Sequence, residues 1–145
     1  MNPFKFRKGV CGIFLSKSGK ILMGERALDP GQWQLPQGGL EVGETPLQAL
    51  EREMFEEVGI TDIKILKATT DWIHYEWPLG LFDSKFLGQQ HIYYILDGNS
   101  LDPKILGPTE EFARFTWHSV DEVLAMIIEW KKEAYLKAFR ELGLI

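Results

Sequence analysis

The sequence predicts an α+β domain, and three observations predict it. Short apolar runs with strand character occur in both halves of the chain, VCGIFLS and ILMGE early and QHIYYIL late. One capped amphipathic helix separates the two sets, and a second capped helical region closes the chain. The length, 145 residues with 45% apolar and 12% aromatic side chains, suits a single domain spanning 1–145. A chain of this size buries about two-thirds of the surface its unfolded form exposes.

Taken in order, residues 10–16 and 21–25 read as strands around the short turn Lys17-Ser18-Gly19-Lys20. Asp29-Pro30-Gly31 marks a turn in a loop that feeds Trp33-Gln34-Leu35. The central helix has legible ends. Thr45 can cap it, Pro46 suits the first helical position, and Gln48 completes a capping box. Gly59 supplies the stop, because glycine adopts the left-handed conformation after a last turn without steric cost. Leu47, Leu50, Met54 and Val58 form one apolar stripe expected to face a core. Beyond it, residues 63–68 and 71–77 (DWIHYEW) read as strands, 78–88 as a loop and 90–96 as a buried strand. Residues 97–108 are turn-rich, and 112–117 form a short strand. Ser119 with Glu122 makes a second capping box, opening a helical region to about Gly143. Its apolar side comes from Val123, Leu124, Ile127, Ile128, Tyr135, Leu136, Phe139 and Leu142.

Composition excludes several function classes. No run approaches the roughly 18 apolar residues of a membrane helix. The start, MNPFKFRKG, lacks the apolar segment of a secretory signal, so a cytoplasmic location is expected. Cys11 is the only cysteine, which excludes an internal disulfide and a thiolate metal cluster. It reads as a small buried hydrophobe. A net charge of −5 argues against a broad nucleic-acid footprint, while leaving room to grip one phosphorylated end. No protein partner is evident.

The chemistry-bearing stretch is residues 36–60, PQGGLEVGETPLQALEREMFEEVGI. At helical spacing Glu53, Glu56 and Glu57 share an arc of roughly 100°, with Glu57 nearest the apolar edge. Like charges at i,i+3 and i,i+4 destabilise a helix by a few tenths of a kcal/mol each. Such a face is either solvated or occupied by a hard cation, since oxygen-only ligands suit Mg²⁺, Mn²⁺ or Ca²⁺ rather than zinc or copper.

The order Gly38-x5-Glu44-x7-Arg52-Glu53-Met54-x-Glu56-Glu57-x-Gly59-Ile60 resembles the Nudix box, position for position, over residues 38–60. The resemblance implies an α/β/α sandwich with a mixed sheet. It also implies hydrolysis of a nucleoside diphosphate linked to another group, with Mg²⁺ as cofactor and Mn²⁺ as a possible substitute. By match to the box, Glu53, Glu56 and Glu57 are the principal metal ligands, joined by a backbone carbonyl of the Gln37-Gly38-Gly39 loop, taken as that of Gly38. Arg52 orients glutamates through ion pairs that include Glu44, and Gly59 closes the helix. Glu53 and Glu57 belong to the catalytic set, and the general base is either Glu53 or an acid outside the box.

Further stretches are similar to one branch of that superfamily, the bacterial RNA 5′-pyrophosphohydrolases and plant-type diadenosine tetraphosphate hydrolases. They are Trp33-Gln34-Leu35-Pro36-Gln37-Gly38-Gly39, Gly88-Gln89-Gln90-His91-Ile92-Tyr93-Tyr94, Glu110-Glu111-Phe112 with Trp117, and Trp130-Lys131-Lys132-Glu133-Ala134-Tyr135. His91 stands where the branch has a second Gln, and Phe6-Arg7-Lys8-Gly9-Val10 matches its N-terminal segment only loosely. The resemblance makes Glu111 the acid from outside the box, as ligand or base. It makes Arg7, Gln37, Trp130 and Lys131 substrate contacts, against plainer readings of Trp130 as core and the cations as solvated surface. The implied substrate is a nucleotide or a 5′-polyphosphorylated RNA end. The competing readings are a hydrolase of nucleoside triphosphates or nucleotide sugars, and a non-catalytic binding module. The intact Arg52, Glu53, Glu56 and Glu57 count against the second. His74, His91 and His118 show no metal-binding spacing and read as structural or surface groups, with His74 and His91 near the site.

Overall fold

The computed structural model describes residues 5–79 and 85–145. Its frame is a mixed sheet built on two long strands, β1 (Phe6–Leu15) and, late in the chain, β7 (Gly88–Asp97). They run parallel along their whole length, from Phe6 opposite Gly88 to Leu15 opposite Asp97. The other pairings are antiparallel. β2 (Ile21–Arg26) joins β1 at Leu15 and carries β3 (Trp33–Gln34) and β8 (Phe112–His118). β4 (Gln37–Gly39) pairs with β1 from Gly9 to Cys11. β5 (Ile65–Ala68) and β6 (Ile73–Glu76) line the two ends of β7.

Both faces of this sheet are covered, which is why β1 and β7 carry near-continuous apolar runs rather than a strict alternation. On one face Val10, Phe14, Ile92, Tyr94 and Leu96 pack with Ala49, Leu50, Met54 and Val58 of α1 (Pro46–Val58). On the other, Cys11, Ile13, Ile73, Tyr75, Tyr93 and Ile95 pack with Ala134, Tyr135, Ala138 and Phe139 of α3 (Lys132–Glu141). The helix α2 (Val120–Met126) adds Val123 to that second face. Layers of helix, sheet and helix result, an α+β fold of the sandwich type expected.

α1 begins and ends where its local signals lie. Thr45 Oγ1 accepts from the Gln48 N–H and the Gln48 side chain accepts from the Thr45 N–H. Gly59 takes φ 81°, and its N–H bonds back to the helix. The apolar stripe needs one correction. Leu47 is 50% exposed and Ala49 is buried in its place.

Five other expectations are revised. β1 starts at Phe6 rather than residue 10, and β5 starts at Ile65 rather than 63. The stretch after the 29–31 turn is two short strands, β3 and β4, because neighbouring strands offer their backbones partners. Residues 80–84 of the expected 78–88 loop lie outside the described residues, and Gly88 already belongs to β7. The helical region 119–143 is interrupted. α2 starts with both halves of the Ser119–Glu122 capping box, but Ile127 and Ile128 are extended. One 3₁₀ turn, Glu129–Lys131, then leads into α3. Two adjacent β-branched residues fit extended backbone well, and no glycine or proline is needed for the break.

Candidate active site

One guanidinium organises the acidic face of α1. Arg52 grips Glu44 in bidentate fashion, Nε to Oε2 at 2.7 Å and Nη2 to Oε1 at 2.9 Å. Its Nη1 donates to Glu53 at 2.7 Å and Glu56 at 3.2 Å, and Nη2 also reaches the Gly39 carbonyl at 2.8 Å. Helix and glycine loop are thus tied through one side chain, and the pairing with Arg52 holds the Glu44 carboxyl down at about 2. The loop lies so close that a Cβ on Gly38 would stand 1.9 Å from the Glu53 carboxyl carbon. Any side chain there would have to displace the Glu53 carboxylate from its place beside Arg52.

The three glutamates differ in environment. Glu56 is half-exposed, whereas Glu53 and Glu57 are buried. Burial raises Glu53 despite its Arg52 partner. Burial pushes Glu57 to about 8, against the hydrogen bond its Oε1 accepts from the Gln37 N–H at 2.8 Å, with the charges of Glu111, Glu53 and Glu56 adding to the rise. Among the described residues this buried carboxyl, with three other carboxylates near it, makes no ion pair, and the Lys131 ammonium acts on it only at longer range. That environment, built only from oxygen donors, chemically fits a hard divalent cation. Among the described residues no three His, Cys, Asp or Glu side chains yet form a ready cation cluster. Arg52 engages Glu53 and Glu56, and Gln37 engages Glu57.

A cleft of about 610 Å³ opens next to Gln37, the residue that bonds Glu57, although Glu53, Glu56 and Glu57 are not themselves among its lining residues. Arg7, Gln37, Glu111, Trp130 and Lys131, five residues singled out from sequence, all line it. The Arg7 guanidinium lies against the Gly39 backbone, where a Cβ would come within 2.5 Å of it. Lys131 is buried, donates to Gln34 Oε1 at 3.1 Å and stands 5.7 Å over the Tyr75 ring. Desolvation lowers its ammonium to about 8. Trp130 lines the cleft and also packs against the core. Glu111 is held by its backbone, whose carbonyl accepts from the Ala27 N–H at 2.9 Å.

The sequence reading missed other cleft residues. Arg26 ends β2 at a register shift, pairs with Asp29 at 2.8 Å and approaches Glu111 at 3.9 Å. Its Nε is buried without a hydrogen-bond partner. Trp33, Tyr75, Trp77 and Gln89 also face the cleft, and Tyr75 donates to Gln89 Oε1. The period-two spacing of Ile73, Tyr75 and Trp77 was the signal for two of them.

None of the three histidines lines the cleft. His91 is fully buried, and desolvation, with Lys131 and Arg7 near it, lowers it to about 3, so the ring is neutral. His74 stacks on Phe6, and His118 meets the edge of Trp33. Cys11 is fully buried, and burial pushes its thiol up, as suits an inert core residue.

Residues 5–139 match the NUDIX domain family. The RNA pyrophosphohydrolase of Hydrogenovibrio crunogenus is 36% identical over 94% of this chain and 88% of that protein. That of Mesorhizobium japonicum is 31% identical over 90% and 86%. Among solved structures, the E. coli dihydroneopterin triphosphate pyrophosphohydrolase superposes with a TM-score of 0.73 at 21% identity, covering 91% of this chain and 95% of that one. A C. elegans Ap4A hydrolase superposes with a TM-score of 0.69 at 19% identity, covering 94% and 97%. At those identities the structures establish the fold, while the family match and the sequence relatives carry the assignment: the chain belongs to the Nudix family and is a pyrophosphohydrolase.

Proposed function

We propose that this chain hydrolyses a phosphoanhydride bond at 5′-triphosphorylated RNA ends, leaving a 5′-monophosphate, and that diadenosine tetraphosphate is a second substrate. The observation that carries the proposal is the cleft itself. It gathers Arg7, Arg26 and Lys131 and three tryptophans, Trp33, Trp77 and Trp130, with Glu111 and with Gln37, whose N–H bonds the Glu57 carboxyl of α1. Cations suit a polyphosphate, and indole faces suit the nucleobase that follows it. The relatives named above as RNA pyrophosphohydrolases support the first substrate. A cleft with several stacking faces supports the second, which carries a base at each end.

Enzymes of this family generally need a divalent metal ion, and Mg²⁺, replaceable by Mn²⁺, is the ion proposed here. Glu53, Glu56 and Glu57, with Glu111 and the Gly38 carbonyl, would hold it, and when bound it supplies charge neutralisation and a more acidic water. The remaining work falls to the chain. Arg52 keeps Glu53 and Glu56 oriented. Arg7 and Lys131 hold phosphate oxygens, Gln37 fixes Glu57 through its backbone N–H, and Trp130 stacks on a base. Glu111, partly exposed at the cleft, accepts the proton of the attacking water as the P–O bond between the 5′-monophosphate and the departing pyrophosphate breaks, with Glu53 the alternative base. The proposed place of action is the cytoplasm, and no helix among the described residues is long and apolar enough to cross a membrane.

The test is product analysis in Mg²⁺ with 5′-triphosphorylated oligonucleotide, diadenosine tetraphosphate, nucleoside triphosphates and nucleotide sugars side by side. The expected result is a 5′-monophosphorylated oligonucleotide, with kcat/KM for the RNA end at least tenfold above that for simple triphosphates. A preference for nucleoside triphosphates or nucleotide sugars would replace this reading with the small-nucleotide one.

A further inference from the structure

We infer that Thr109 is a positioning residue that clasps the Glu111 loop onto the acidic end of α1. The inference rests on the role proposed above for Glu111. The last four carbonyls of a helix have no partner within it, and that of Glu57 is one of them. It accepts a hydrogen bond from Thr109 Oγ1 at 2.9 Å, from a residue 52 positions later in the chain. The same hydroxyl accepts the Phe112 N–H at 3.2 Å, and the Thr109 N–H donates to the Phe112 carbonyl at 2.9 Å. Residues 109–112 therefore close on themselves with Glu110 and Glu111 at the turn, and the hydroxyl that closes them also caps the residue bearing the most strongly perturbed carboxyl of α1. A second anchor lies on the opposite side, where the Glu111 carbonyl accepts from the Ala27 N–H at 2.9 Å.

Such a clasp answers a physical need. Glu57 and Glu111 come from distant parts of the chain and repel each other when both are ionised. The ion pair from the Glu111 side chain to Arg26 is long, at 3.9 Å, and 42% of that side chain is exposed. Backbone anchors must hold the two acids in register, and displacement of a reacting group by about 1 Å can cost on the order of 10²-fold in rate. Thr109 does not itself line the cleft, so it acts by holding the Glu111 loop to the end of α1.

The experiment compares wild type, T109V, T109S, E111Q and the double variant T109V/E111Q. The readouts are kcat and KM on a 5′-triphosphorylated oligonucleotide in Mg²⁺, Mn²⁺ affinity by electron paramagnetic resonance, and the metal-free Tm. T109V keeps the side-chain shape and removes the hydroxyl. It is expected to lower kcat about tenfold and weaken Mn²⁺ binding severalfold while leaving KM for the RNA end unchanged. T109S is expected to restore both. In the E111Q background T109V is expected to have no further effect on kcat, because the residue it positions is already disabled. An equal loss in that background, or failure of serine to rescue, overturns the inference in favour of a general folding role, which the Tm will register. T109V with wild-type kcat and Mn²⁺ affinity, alongside an impaired E111Q, overturns the clasp alone. E111Q at the wild-type rate overturns the role of Glu111 and the clasp with it.

Discussion

At the scale of single residues, Glu57 concentrates the tension of the site. Its carboxyl sits near 8 in the folded protein against 4.5 as an ordinary glutamate, chiefly through burial. A raised carboxyl means that the folded state holds its proton to higher pH than the unfolded state does. This contribution to stability is therefore complete below about pH 4.5 and is lost as pH rises through about 8. In chelator, the Tm of the wild type is expected to fall across that window, and Glu57→Gln is expected to flatten the fall while reducing turnover by at least about a hundredfold. A melting series at pH 5, 6.5 and 8 checks it, and identical slopes for the two proteins would contradict it. Glu56 is half-exposed, so Glu56→Gln should cost turnover with little effect on metal-free melting. Lys131 shows the opposite sign. Its depressed ammonium means that stability grows as pH rises from about 8 toward 10.5. Lys131→Ala should weaken RNA binding in a way that fades at high salt. Trp130→Ala should weaken both proposed substrates by roughly 1–3 kcal/mol through lost stacking, with little salt dependence. Paired titrations at two salt concentrations separate these behaviours. Arg26 was illegible in advance because its importance comes from Glu111, 85 positions away in sequence, and from a register shift that no local pattern announces.

At the scale of elements, α1 was readable nearly to its ends because its caps are local chemistry. Thr45, Gln48 and Gly59 satisfy backbone groups within a turn or two of themselves, so their meaning needs no tertiary context. The closing helical region was readable only at its start, where Ser119 and Glu122 are equally local. Its break at Ile127 and Ile128 brings both residues, with Trp130 and Lys131, to the cleft, and a helical apolar pattern carries no sign of that. The bridge between α1 and its glycine loop is testable as a unit. Arg52→Lys keeps the charge but loses the fork that holds Glu44, Glu53 and the Gly39 carbonyl together. It is expected to reduce kcat more than tenfold and to raise the Mg²⁺ concentration needed for half-maximal rate. A variant with an unchanged metal requirement would show that the orientation of these acids does not depend on Arg52.

At the scale of the whole molecule, charge is distributed unevenly. The net charge is −5, yet three cations converge on one cleft. On the proposed function, that arrangement grips a polyphosphate end rather than a long backbone. Single-stranded nucleic acid binding carries a salt slope of roughly −0.7 per phosphate neutralised, so few contacts imply a shallow slope. The most direct measurement is kcat/KM in Mg²⁺ for a 5′-triphosphorylated trinucleotide, a long transcript with the same 5′ end and a nucleoside triphosphate, across a salt series. The account predicts that trinucleotide and transcript are cleaved at nearly equal kcat/KM, both well above the nucleoside triphosphate. A transcript favoured by more than about a hundredfold, some 2.7 kcal/mol of extra transition-state binding, would contradict it.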